Sequence, residues 1–175
     1  MTRHVIGAIV LLAASGCPAH QKMLDGIVGQ SGDLPCFTVP IEGIEGFGTL
    51  RVAAIEVSEI TEKGAVVSIP WSVGMKGTMP ATVLAPSKCI AYGAIGGQSV
   101  AAPLMEGKRY ALFINGHVGP LNQGQNRRYS GYFCVIKSGI EEQLVRQVKW
   151  DRRARVWDWG VCGTLRSSPR EDLKS

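Results

Sequence analysis

The sequence predicts an all-β protein: an antiparallel sandwich braced by two disulfides and extended by a C-terminal hairpin. Three observations carry that reading. The chain has 22 glycines and 9 prolines, which cut it into short segments rich in Val, Ile and Thr, residues that favour strands over helices. Several of those segments alternate apolar and polar residues with a period of two. Four of the five cysteines form an even set once Cys17 is set aside, as a two-bridge framework requires. With 45% hydrophobic residues over 175 positions, the chain can bury the core of one domain.

The N-terminus reads as a targeting segment. Arg3 and His4 precede the apolar run Val5 to Leu12, which ends in Ala13-Ala14-Ser15-Gly16-Cys17. A charged start, a short apolar stretch and small residues before a cut are the grammar of a secretory signal. The run is too short to cross about 30 Å of hydrocarbon. Its end resembles a bacterial lipobox, with Ala14 where leucine is usual. The resemblance implies loss of residues 1–16 and acylation of Cys17 with three chains, enough for stable anchoring. Pro18 follows, rather than the Asp associated with retention at the inner membrane, so attachment to the outer membrane facing the periplasm is expected. A plain soluble signal with an incidental cysteine is the other reading. Residues 17–32 read as a polar lipidated tether, 33–165 as the sandwich and 166–175 as a flexible tail.

Within the sandwich, Leu34 to Val39 is the first expected strand, stopped by Pro40, with a loop marked by Gly43, Gly46 and Gly48. Leu50 to Ile60 alternates from Val52 onward, and its β-branched density favours a strand over a helix. Lys63-Gly64 is a turn into a strand over Ala65 to Trp71. Thr82 to Leu84 and Lys88 to Tyr92 are short strands about Pro86. Glu106-Gly107 turns into a strand at Lys108 to Asn115, whose partner is Arg128 to Ile136. The connection between them, Gly116 to Arg127, is polar and rich in Gly and Pro, and reads as a long exposed loop of the kind that carries function. Glu141 to Asp151 and Arg155 to Cys162 are expected to close the chain as a hairpin about Arg152-Arg153-Ala154. Alternation puts Trp157 and Trp159 on one face of it.

Cys36, Cys89, Cys134 and Cys162 allow three disulfide connectivities. Joining neighbouring segments favours Cys36–Cys89 and Cys134–Cys162, each worth on the order of 3.5–4 kcal/mol by loop closure. Zinc is the other use for four cysteines, but no Cys-x-x-Cys occurs.

The formal charge is +5, and losing Arg3 leaves one less, still a surface suited to anionic partners. A periplasmic address removes nucleic acid from those partners. Residues for catalysis do not converge. His117 is the one histidine inside the expected domain. Ser130 and Ser138 lie near glycines without a Gly-x-Ser-x-Gly elbow. Cys134 with His117 could form a nucleophile pair, but a disulfide is the favoured use of Cys134. Glu56 and Glu59 fall on opposite strand faces. Asp158 reads as an outward residue beside arginines rather than a buried acid, and Gly96-Gly97 lacks the Lys-Ser/Thr of a phosphate loop. The sequence therefore predicts a protein that is not an enzyme and has no cofactor or metal.

The order of motifs adds to this. After the Ser-Gly-Cys-Pro start come Cys36-Phe-Thr-Val-Pro40, Ile55-Glu-Val57, Pro70-Trp71, Pro80-Ala-Thr-Val-Leu84 and Pro86-Ser-Lys-Cys89-Ile-Ala-Tyr92. Pro103 to Tyr110 and the aromatic strand with Phe133-Cys134-Val135 follow. This order, over approximately residues 10–136, resembles the type VI secretion immunity periplasmic lipoproteins. The resemblance implies an immunoglobulin-like sandwich and a role in neutralising a toxin delivered to the periplasm, with no catalytic motif to carry over. The chain departs from the pattern in its loop at 116–127 and in the additions at 134–162.

The expected function is a binding protein that occludes a secreted effector, for instance a peptidoglycan hydrolase. The alternative is a structural or assembly lipoprotein acting through strand pairing. Contact residues for a partner should be Trp, Tyr or Arg anchors with adaptable polar neighbours. The candidates are Asn122, Gln125, Arg127 and Arg128 in the loop, Tyr129 at its exit, and Arg152, Arg153 and Trp157 in the final hairpin.

Overall fold

Alternation builds the centre of the molecule. In Arg109–Val118 every second side chain is buried, from Tyr110 through Leu112 and Ile114 to Val118, the signature of a strand with one face on a core. The computed structural model describes residues 23–74, 82–86, 88–95, 100–120, 124–138 and 142–163. Its strands, in order, are β1 (Met23–Asp25), β2 (Ile27–Ser31), β3 (Leu34–Thr38), β4 (Leu50–Ile60), β5 (Val66–Gly74) and β6 (Val83–Leu84). They continue as β7 (Ile90–Ala91), β8 (Arg109–Val118), β9 (Gln125–Ser138), β10 (Glu142–Val148), β11 (Trp150–Asp151) and β12 (Val156–Trp157). Short 3-10 turns lie at Ile41–Gly43 and Trp159–Cys162. The expected all-β fold is the observed one.

The main sheet runs β1-β9-β8-β4-β5, with β10 continuing along β9 beyond β1 and β6 along β4. A second sheet, β2-β3-β7, faces it. One core joins them. Phe37 from β3 lies fully buried between Trp71 of β5, 6.1 Å between ring centroids, and Phe133 of β9, at 5.8 Å. Tyr110 stacks on Phe133 at 5.3 Å, and Tyr92 meets Trp71 edge-on at 5.3 Å. Ile55, Val57, Leu112, Ile114 and Tyr129 complete the main-sheet side. Cys36–Cys89 ties β3 to the segment before β7, with Cα atoms 5.5 Å apart, and Cys134–Cys162 is the second bridge. Both are the pairings that neighbouring segments favoured.

Four expectations need correction. The second half of the expected tether, residues 17–32, holds two strands in different sheets, β1 on β9 and β2 on β3. Leu24 and Val28 reach the core, and the glycine between β1 and β2 is a crossing point rather than a linker. At Gly26 the chain leaves the main sheet, its N–H still donating to the Ser130 carbonyl at 2.7 Å, and enters the second sheet as β2. Cys17 and the signal lie outside the described residues, as does the tail at 166–175. The sheet is also not wholly antiparallel, because β1 pairs with β9 in parallel.

The third correction concerns the long loop. β8 and β9 stay in register through Gly116↔Arg127, His117↔Asn126 and Val118↔Gln125, so the connection shrinks to 119–124. Polar residues sit comfortably on the outer face of a hairpin, which a count of Gly and polar residues mistakes for loop. The fourth is the closing hairpin. Glu142–Val148 pairs with β9, from Glu142↔Ser138 to Val148↔Tyr132, and only β11 and β12 form the last hairpin, with Trp150 opposite Trp157. Asp151 decides this. Its Oδ1 accepts from the N–H groups of Arg153 at 2.7 Å and Ala154 at 3.0 Å, closing a turn that Arg155 completes at φ 56°.

The free side of β10 meets the free side of β2 through side chains. Gln147 Nε2 donates to the Gly26 carbonyl at 3.0 Å while its Oε1 accepts from the Val28 N–H at 3.2 Å. Gln30 returns the arrangement: its Nε2 donates to the Gln143 carbonyl and its Oε1 accepts from the Val145 N–H, both at 2.9 Å. Each amide stands where a neighbouring strand's peptide would, satisfying backbone groups that a sandwich seam would leave unpaired.

Candidate functional site

Strand parity decides which side chains β9 presents outward. Tyr129 and Phe133 point into the core and are fully buried, so Asn126, Arg128, Ser130, Tyr132 and Cys134 line the opposite face. In β1, Leu24 packs on the core, so Met23 and Asp25, paired with Arg128 and Ser130, join that outer face. The end of the chain folds over it. Cys134 is bonded to Cys162, and Tyr132 carries both Trp157, at 4.4 Å between ring centroids, and Trp159, at 6.1 Å. Arg109 caps the group, its guanidinium 4.9 Å from the Trp159 ring in a cation–π contact. It also donates to Glu62 at 2.8 Å.

Between β1, β9, β10 and this stapled hairpin lies a cleft of about 560 Å³, lined by Asp25, Ser130, Gln147, Lys149, Trp150, Arg152 and Trp157. Trp150 and Trp157 meet edge-to-face at 5.3 Å. Trp150 keeps 47% of its surface open. Neither Lys149 nor Arg152 is in an ion pair among the described residues, whose pairs are Lys108–Glu59, Arg109–Glu62 and Lys137–Glu106. The chain matches no family model, no curated protein and no solved structure. What the face can do must be argued from its own chemistry.

The expected contact residues divide as follows. Arg152 and Trp157 line the cleft, Arg153 is exposed in the turn beside it, and Arg128 stands on the same outer face. Gln125 and Arg127 belong to β9 rather than to a loop, and alternate to the side of Tyr129. Tyr129 is no surface anchor at all. It is fully enclosed, and burial pushes its phenol above the usual range while the charge of Arg127 pulls it down. Asn122 lies outside the described residues. Asp25, Lys149 and Trp150 escaped selection because nothing in the chain order places residue 25 beside residue 157.

The far end of the hairpin β8–β9 carries His117. Its Nε2 lies 3.1 Å from the Pro120 carbonyl and its Nδ1 3.3 Å from Asn126 Oδ1. The two contacts hold the ring across the turn, which it serves to shape. Cys134, eight residues along the strand pair from it and roughly 27 Å away at strand rise, is committed to its disulfide. Asp158 caps the last 3-10 turn, accepting from the Gly160 N–H at 3.0 Å. Among the described residues no three His, Cys, Asp or Glu side chains group as metal ligands.

Proposed function

We propose that this chain is a lipid-anchored, periplasm-facing binding protein that neutralises a type VI secretion effector by covering it. The observation that carries the reading is the joining of Arg128 with the Arg152–Trp157 hairpin on one outer face, fixed by Cys134–Cys162. Rigid aromatic and arginine anchors on a preformed surface are what tight protein recognition needs. The net charge of +5 would draw an acidic partner. The lipobox-like stretch at 13–17 supplies the address.

The test is protection of a deletion strain against its own kin. Expression of the wild-type chain restores survival, whereas Arg128→Glu with Arg153→Glu, both exposed, removes it at unchanged protein level. Full protection by that double variant, or survival of the deletion strain without the gene, rejects the proposal.

A second reading, assembly by strand pairing, draws on β5, which bears exposed Val66, Val67 and Ile69 at the end of the main sheet. Pro70 within it offers no N–H, and its carbonyl already accepts from Ala102 at 3.0 Å, so only the half before Pro70 could add a strand. Val67→Lys abolishes assembly if this second reading holds and leaves toxin protection intact if it does not.

A further inference from the structure

We propose that the cleft between β1, β9 and the stapled hairpin is a binding site for an acidic saccharide, a pyranose bearing a carboxylate. This goes beyond the effector-binding reading and needs no effector to be true. The cleft offers three chemistries at once, and such a sugar answers all three.

The first is the open indole of Trp150. Because Trp150 and Trp157 meet at 69° rather than stacked, they form an apolar corner, and the face of Trp150 left to solvent suits the C–H face of a pyranose. The second is the pair of cations. The carboxylate nearest in sequence, Asp151, spends its Oδ1 on the turn's own N–H groups. Lys149 and Arg152 therefore keep their donors for a ligand carboxylate. The third is Asp25 on the opposite wall, with Ser130 beside it. A carboxylate accepts hydrogen bonds and repels its like. It disfavours a peptide of acidic side chains alone, and it welcomes sugar hydroxyls. A neutral sugar would leave the two cations unused.

The site is also preformed. Gln147, in its wall, is locked by the Gly26 carbonyl and the Val28 N–H, and the hairpin is held by Cys134–Cys162. A rigid cleft binds without the cost of ordering it. Its volume, about 560 Å³, falls within the roughly 300–1,000 Å³ typical of small-ligand sites. The same chemistry is found in a cell-wall glycan stripped of its stem peptides, through the free carboxylate of its muramic acid, and in a uronic-acid polysaccharide.

The experiment titrates the purified full-length protein by tryptophan fluorescence with N-acetylmuramic acid, a glucuronate oligosaccharide, neutral tri-N-acetylglucosamine and a hexaglutamate peptide. At least one acidic sugar is expected to saturate with a Kd below about 1 mM and to bind about ten-fold more tightly than the neutral sugar or the peptide. Which acidic sugar binds more tightly identifies the source. Arg152→Gln, at an exposed position, reduces the acidic-over-neutral preference about ten-fold and leaves the thermal midpoint unchanged. Trp150→Ala weakens every sugar. No saturation by about 10 mM, equal binding of acidic and neutral sugars, tighter binding of hexaglutamate, or an Arg152→Gln protein with wild-type preference each overturns the proposal. None of these outcomes alters the protection assay on Arg128 and Arg153, so the two readings fail separately.

Discussion

Cys134, wholly buried on β9, is bonded to Cys162 at the end of the last 3-10 turn, their Cα atoms 5.9 Å apart. The bond fastens a short two-stranded hairpin to the outside of the main sheet, where Tyr132 receives Trp157 and Trp159. Two strands of two residues each cannot hold together alone. Replacing both cysteines, Cys134→Ser with Cys162→Ser, should lower the unfolding free energy by about 2–4 kcal/mol. Tryptophan emission should shift to the red while far-UV circular dichroism keeps the sheet signal. Unchanged emission would mean that the ring contacts suffice to hold the hairpin.

The Gln147 amide bridges two sheets. Gln147→Ala leaves the Gly26 carbonyl and the Val28 N–H without their partner, and an unsatisfied buried backbone group costs about 1–3 kcal/mol. Gln147→Glu keeps the acceptor for Val28 but loses the donor to Gly26, so its cost should fall between wild type and alanine. Urea denaturation of the three proteins orders them; equal midpoints would show that water replaces the amide freely.

Gly116 on β8 lies against β4. A Cβ there would sit 2.6 Å from the Arg51 carbonyl oxygen and 2.8 Å from Leu50 Cγ, and backbone cannot move aside cheaply. Gly116→Ala should therefore destabilise by about 1–3 kcal/mol. Gly29→Ala, whose nearest neighbour would be 3.8 Å away, should stay within about 0.5 kcal/mol of wild type. A thermal melt of both variants checks the contrast.

Tyr92 gives the fold an alkaline limit. Burial first, and the neighbouring Tyr110 second, push its phenol from 10.0 up to about 12. The folded state thus prefers the neutral phenol, whose O–H donates to the Ala102 carbonyl at 2.7 Å. A raised folded pKa means that this contribution is complete below pH 10 and is lost as pH climbs towards 12. Tyr110 and Tyr129 are raised by burial in the same sense. Denaturation midpoints between pH 8 and 12 should fall most steeply in that upper range, and less steeply for Tyr92→Phe. A flat profile would contradict the burial argument.

The central strands were legible because their chemistry is local. Lys108 to Asn115 and Leu50 to Ile60 announce themselves by alternation, and cysteine parity together with proximity along the chain picked out Cys36–Cys89 and Cys134–Cys162. Met23 to Ser31 does not read as strand in the sequence because Gly26, Gly29 and Gly32 interrupt the pattern. β1 forms only against Arg128 to Ser130 of β9, more than a hundred residues away, whereas β2 closes a local hairpin with β3. The polar run from Gly116 to Arg127 reads as loop because outer-face residues of a hairpin look like loop residues.

Residue order was sufficient for the β class, for the disulfide partners and for the turns at Lys63-Gly64 and Glu106-Gly107, since these depend on side-chain period, spacing and backbone preference within short windows. It could not bring Asp25, Ser130, Trp150 and Arg152 to one cleft, nor enclose Tyr129 while leaving Arg128 outside. Those outcomes depend on strand parity within a completed sheet, on the crossing at Gly26 and on the bond from Cys134 to Cys162. They are long-range contacts, and a linear pattern does not encode which distant segments will share a face.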